Sequence, residues 1–234
     1  MGDARTGRVG YALEGSIATI TMDDGKVNVL SLAMQADLNA ALDRAEADGA
    51  TVILTGRPGR FAAGFDLNTL TAGGPEAVRM LRGGFDLASR LLSFPRPVVM
   101  ASTGHAMAMG FFLLLSGDHA LGVDGPYKLV ANEVAIGLPM PRPAIAIMRN
   151  RLTPAAFTRT AVLAQPFSAL DALAAGVLDR VVAEDDLLPT AVEVATALSA
   201  LDMNAHAITK RLARSATLEA IAAGSDLEYG PAPE

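Results

Sequence analysis

The chain has 234 residues, 51% of them hydrophobic and 19% charged, with a formal net charge of −6. That length holds one large domain with a full core or two small ones, and the apolar content excludes a disordered chain. The few basic residues do not cluster, which argues against a nucleic-acid surface, and the absence of cysteine excludes disulfides, thiolate metal sites and a Cys nucleophile.

From the N-terminus, residues 9–13 and 16–22 are alternating or β-branched segments divided by Glu14-Gly15, which predicts a hairpin. Residues 32–47 carry apolar side chains at helical spacing behind Ser31 as N-cap. A short buried strand over 51–55 follows, then a turn at Gly56-Arg57-Pro58-Gly59 into the segment 60–67. Residues 75–93 read as a helix, stopped by Phe94-Pro95-Arg96-Pro97, and a second buried strand spans 98–102. Residues 104–116 read as loop into helix, 119–123 and 127–130 as strands, and 139–143 as a proline-rich break. Helices are expected over 153–163, 168–175 and 187–200, with a strand over 177–182 between the last two. Strand and helix alternate throughout, so the class is α/β. The core is expected to fill residues 1–189, with 190–234 a helical appendage whose last residues, 228–234, fray.

Two places share one pattern: a buried strand, a loop of small residues, then a helix. They lead into Phe61-Ala62-Ala63-Gly64-Phe65-Asp66-Leu67 and Gly104-His105-Ala106-Met107-Ala108-Met109-Gly110. Such loops let backbone N–H groups face a cleft, and two of them aimed at one spot would hold a developing oxyanion. Small residues also serve close packing alone, and spacing does not choose between the two. Ser102 and Thr103 have no base at a recognisable spacing, so nucleophilic catalysis is unsupported. His105 beside the second loop is a candidate for substrate contact or a satisfied structural residue; His119 and His206 read as structural, and Asp118 as a brace between helix and strand. No histidine pair has metal-ligand spacing, so no metal is expected. Residues 1–5 lack the basic start and apolar run of a secretory signal. The longest apolar stretch, 106–115, is far short of the ~20 residues that span a bilayer. A cytoplasmic protein without a membrane partner is the expectation.

Phe61 to Leu67 resembles the crotonase (enoyl-CoA hydratase/isomerase) signature Phe-x-Ala-Gly-x-Asp-[Leu/Ile]. Residues 104–110, with Asp118 beyond, are similar to the second signature, and Asn132-Glu133 with Gly137 and Pro139 to the third. Lys26-Val27-Asn28 ahead of Leu30 matches the opening block, and 168–182 the stretch before the tail. The resemblance implies a core of stacked ββα turns with a short C-terminal helical region, assembled as a homotrimer or hexamer. It implies an acyl-CoA thioester in a bent cleft, its carbonyl held by the amides of Ala63 and Met109. Asp66 would cap the first loop and Phe65 line the pantetheine channel. Val27 and Val29 would face the CoA, with Ala62, Gly64, Leu67 and Phe112 completing the substrate surface. Coenzyme A is then part of the substrate and no cofactor is implied.

The departures from the family carry the chemistry. The second loop, usually three glycines, reads Ala108-Met109-Gly110, so side chains must fit a loop built for glycine and narrow the acyl pocket. Hydratases carry two glutamates; one position is Phe112 here, and the other is Glu133. Adding water across a double bond is best served by two carboxylates, whereas moving a double bond from C3 to C2 needs one. The reading is therefore a Δ3,Δ2-enoyl-CoA isomerase with Glu133 as base. The alternatives are an enoyl-CoA hydratase of fatty-acid β-oxidation, or a catalytically impaired acyl-CoA-binding homologue. The tail is shorter than the family's, which puts CoA affinity in question.

Overall fold

The computed structural model describes residues 4–231. It opens with strands β1 (Ala4–Thr6), β2 (Val9–Glu14) and β3 (Ile17–Met22), an antiparallel set in which β2 and β3 form the expected hairpin. Helix α1 (Leu32–Ala47) starts at Ser31, whose side chain accepts the Met34 N–H. Then come β4 (Thr51–Thr55), β5 (Gly59–Ala62), α2 (Leu67–Ala72) and α3 (Gly74–Ser93). The next turn of chain gives β6 (Val98–Ser102), β7 (Gly104–Met107) and α4 (Met109–Leu114), and the third gives β8 (His119–Val123) and β9 (Leu129–Val130). Helices α5 (Arg142–Arg151), α6 (Pro154–Ala161) and α7 (Ala169–Ala175), strand β10 (Arg180–Val182), and helices α8 (Leu187–Ser199) and α9 (Met203–Tyr229) complete it.

The strands sort into two sheets. One is seven-stranded, ordered β1-β2-β3-β4-β6-β8-β10; the other is β5-β7-β9. From β3 onward the large sheet is parallel, and so is the small one. Each pass of the chain thus adds one strand to the large sheet, one to the small sheet, and a helix or loop: the stacked ββα turn. β4 and β6 are buried at every residue because both their faces are covered. Val52, Leu54, Val98 and Met100 enter the main core, while Ile53, Val99 and Ala101 meet Leu187, Ala191 and Ala195 of α8 on the other face.

Several expectations need correction. The boundary at 189/190 falls inside α8, which is packed on the large sheet, so the C-terminal region is no appendage. α9 lies against α3 and α5, and it continues to Tyr229 where fraying was expected; residues 1–3 and 232–234 lie outside the described residues. The proline-rich break is the start of α5, because proline is at home in the first helical turn, where its missing N–H costs no bond. The loop at 104–108 begins as β7, and the strands expected over 127–130 and 177–182 shorten to β9 and β10. Asp118 is the expected brace: its carboxylate accepts the Val98 N–H at 2.7 Å and meets Lys210 at 2.6 Å and Arg214 at 3.0 Å.

Candidate active site

β5, β7 and β9 are parallel neighbours in that order, so the segments leaving their C-terminal ends emerge side by side. Those segments are the loop from Ala63 to Asp66, the loop at Ala108, and the stretch Ala131–Glu133. At ~4.8 Å per strand, the outer two exits are about 10 Å apart. Ligands bind where parallel strands end for this reason: loops there carry chemistry on a rigid base.

The first loop is locked by Asn28, wholly buried with φ 56°. Its side-chain amide donates to the carbonyls of Met22, Phe61 and, at 3.3 Å, Arg60, and its Oδ1 accepts the Asp24 N–H. Asp24 in turn accepts the N–H groups of Lys26, Asn28 and Val29, which holds its carboxyl below the usual range against the opposing effect of burial, the largest single influence on it. Asp66 caps α2, accepting the Asn68 N–H at 3.1 Å and the Thr69 hydroxyl.

Ala63 is not free to hold an oxyanion. Its N–H donates to the carbonyls of Val27 at 3.0 Å and Asn28 at 3.2 Å, so the assignment of that amide is corrected. In a trans peptide the N–H points opposite to its own C=O. The Ala63 carbonyl accepts the Gly110 N–H, which turns the Gly64 N–H away from α4. The Gly64 carbonyl accepts the Leu30 N–H, which turns the Phe65 N–H away from the Leu30 side. Phe65 and Met109 are therefore the pair of interest: neither N–H meets an acceptor among the described residues. Met109 opens α4, where the dipole is positive, and the Ala108 carbonyl is tied to the N–H groups of Phe111 and Phe112. A Cβ on Gly64 would lie 2.8 Å from the Ala108 Cβ and 3.7 Å from the Met109 N, so glycine keeps the approach to that N–H open.

Ala108 adopts φ 47°, ψ −122°, a conformation suited to glycine, so the substituted loop survives with strain of about 1–3 kcal/mol. Gly110 is irreplaceable for another reason: a Cβ there would sit 2.2 Å from the Ala62 carbonyl oxygen. Ala62 is accordingly a buried packing residue beneath α4, and its expected substrate contact is corrected. The Met109 side chain is wholly buried beside Gly84 of α3.

Glu133 heads a short 3-10 turn, Val134–Ile136, at the end of the third segment. It is 9% exposed, and its Oε2 is buried without a hydrogen-bond partner. Burial pushes its carboxyl up to about 7. Phe112 is 1% exposed and stacks on Phe85 at 6.2 Å between centroids; Phe85 meets Phe65 edge-on at 6.2 Å and stacks on Tyr229 at 6.0 Å. Phe112 is thus part of an aromatic wall, not a free pocket surface. Val27 and Leu67 are exposed and Val29 is half-buried.

His105 accepts the Lys128 N–H on Nδ1 at 3.0 Å and packs edge-on against Tyr127, which accounts for it structurally. Two surface cavities, of about 440 Å³ beside Lys210 and about 380 Å³ between α5 and α9, do not border Glu133. No cluster of His, Asp or Glu among the described residues is placed to hold a metal, and no helix is long and apolar enough to cross a membrane. Sequence reasoning missed Tyr229, whose only signal was an aromatic at the end of a helical stretch.

A profile of the enoyl-CoA hydratase/isomerase family matches residues 12–230. The crystal structure of the enoyl-CoA hydratase EchA3 from Mycobacterium ulcerans is similar with a TM-score of 0.91 and 47% identity, covering 94% of this chain and 97% of that one. That of the Mycobacterium tuberculosis enoyl-CoA isomerase gives 0.90 and 48%, covering 94% and 96%. The human mitochondrial enoyl-CoA delta isomerase 1 is 29% identical over 217 residues, which is 91% of this chain and 72% of that protein.

Proposed function

The chain belongs to the enoyl-CoA hydratase/isomerase family, as an enzyme of acyl-CoA thioesters, and we propose that it moves a double bond from C3 to C2 of a 3-enoyl-CoA. The observation that carries this reading is Glu133: one buried carboxyl whose Oε2 has no partner, in a chain that has Phe112, packed among aromatic rings, where a second acid would stand. The thioester oxygen sits between the N–H groups of Phe65 and Met109, each worth about 2.7–4 kcal/mol to a developing enolate by analogy with other oxyanion donors. Glu133 takes the proton from C2; the electron pair passes through the thioester enolate, and the C3–C4 double bond becomes C2–C3 as C4 receives that proton back. One group serves as base and then as acid, and a carboxyl near pH 7 is suited to both. The CoA moiety runs past Val27, Val29 and Leu67, and the protein assembles as a homotrimer or hexamer.

The test is a side-by-side assay of 3-enoyl-CoA and 2-enoyl-CoA substrates. Conversion of the first with slow or no hydration of the second supports isomerisation. Rapid hydration of crotonyl-CoA reverses the reading, and binding without any conversion makes the protein an acyl-CoA carrier. Deuterium at C2 of the 3-enoyl-CoA should reach C4 of the product in ordinary water, and complete washout would refute the single-residue shuttle.

A further inference from the structure

The end of α9 reaches the candidate site from the far end of the sequence. Tyr229, its last residue, lies face to face with Phe85 at 6.0 Å and 8° between ring planes, and Phe85 stacks in turn on Phe112. The helix end is fastened on two sides. From α3, the nearly buried Arg82 meets Asp226 at 2.8 Å and donates to the Gly230 carbonyl. From α5, the Arg142 N–H donates to Glu228 at 3.0 Å, and the Glu228 carboxylate lies beside the Tyr229 hydroxyl. Glu133 lies within electrostatic reach of that hydroxyl. Contacts from two different helices thus hold this helix end, and with it the Tyr229 ring, in place.

We propose that Tyr229 is a positioning residue whose ring, laid on Phe85, completes the wall that keeps water from Glu133. The claim rests on the isomerase reading only for its benefit: a dry carboxyl keeps the abstracted proton until C4 receives it. The charged groups that act on Tyr229 are Glu133 from its turn and Glu228 from α9; around the same helix end lie Arg82 and Asp86 from α3, Asp226 from α9 and Arg142 from α5. None of them is a cation paired with Glu133, and burial is the main influence that raises its carboxyl.

The experiment is a 13C NMR titration of glutamate-labelled free protein, with Glu133 assigned by its loss in Glu133→Gln. Wild type should show a midpoint near 7, and Tyr229→Ala should bring it toward the ordinary 4.5. Tyr229→Phe keeps the ring and should keep the wild-type midpoint. Should the alanine variant fail to fold by circular dichroism, Tyr229→Leu replaces it with the same expectation. An unchanged midpoint in Tyr229→Ala overturns the proposal, and so does an equal fall in Tyr229→Phe, which would make the hydroxyl the agent. No substrate is present, so the result stands apart from whether the protein isomerises. With 2-deuterated 3-enoyl-CoA, Tyr229→Ala should also transfer less label to C4 than Tyr229→Phe.

Discussion

Glu133→Gln exchanges one oxygen for an NH₂ group and removes the only charge the buried position can carry. An ordinary glutamate titrates near 4.5 and Glu133 near 7, so the folded protein holds this proton more tightly than the unfolded chain does. Below pH 4.5 the group is protonated in both states and contributes nothing. Stability is lost as pH rises from 4.5 to 7, and above 7 the whole penalty stands. At about 1.4 kcal/mol per pH unit that interval amounts to about 3 kcal/mol. The glutamine variant escapes it. It should therefore match wild type near pH 4 and exceed it by about 3 kcal/mol at pH 8.5, some 6–12 °C in Tm for a domain of this size. Activity should fall about 10²–10⁴-fold at the same time, the usual cost of losing a general base. Urea unfolding at the two pH values reads the first quantity and turnover of a 3-enoyl-CoA the second. A stability difference that is the same at both pH values would show that Glu133 is not desolvated, and unchanged turnover would remove it from the mechanism.

Three further outcomes are expected. Asp118→Ala should destabilise the protein by about 3–5 kcal/mol in chemical denaturation, because it strands Lys210, which is 6% exposed, and Arg214 beside it; a loss under 1 kcal/mol would mean the network is dispensable. Ala108→Gly should raise stability by about 1 kcal/mol, the relief of a left-handed alanine less the entropy of the added glycine, and a lower unfolding midpoint would show the strain to be absent. Light scattering should give a mass three or six times 24.2 kDa, and a monomer at micromolar concentration would contradict the assembly.

The parts of the site that are local in sequence could be read from it. Asp66 follows the small-residue run of the first loop and caps the helix it opens, and Glu133, in a recognisable block, heads the short turn that follows β9. The choice of donor amide was not legible. Whether the Ala63 or the Phe65 N–H is free depends on which carbonyls Val27, Asn28 and Leu30 bring across from another segment, and no periodicity encodes that. α5 was hidden by Pro141 and Pro143, residues that break a helix interior but open one readily. Tyr229 was invisible for a different reason. Its partners Phe85 and Arg82 lie on α3, and a stack spanning more than half the chain follows from tertiary packing alone.

The same geometry bears on whether this chain does chemistry or only binds. A buried carboxyl is tolerated when a cation or several donors compensate it, as Asp118 is by Lys210, Arg214 and the Val98 N–H. Glu133 has no such compensation at Oε2 and costs the fold about 3 kcal/mol whenever it is ionised. A thioester could be held by the Phe65 and Met109 amides and the Val27 rim without any acid in the cleft. An amide or apolar residue at 133 would serve a binder better, since it would hold the same contacts without the desolvation penalty. What the carboxyl adds is a proton acceptor whose affinity sits near neutrality and whose surroundings keep water from exchanging the proton. That property has value only if a proton is moved, which is why the unpaired state of Glu133 weighs toward isomerisation more heavily than the loss of the second acid weighs against catalysis.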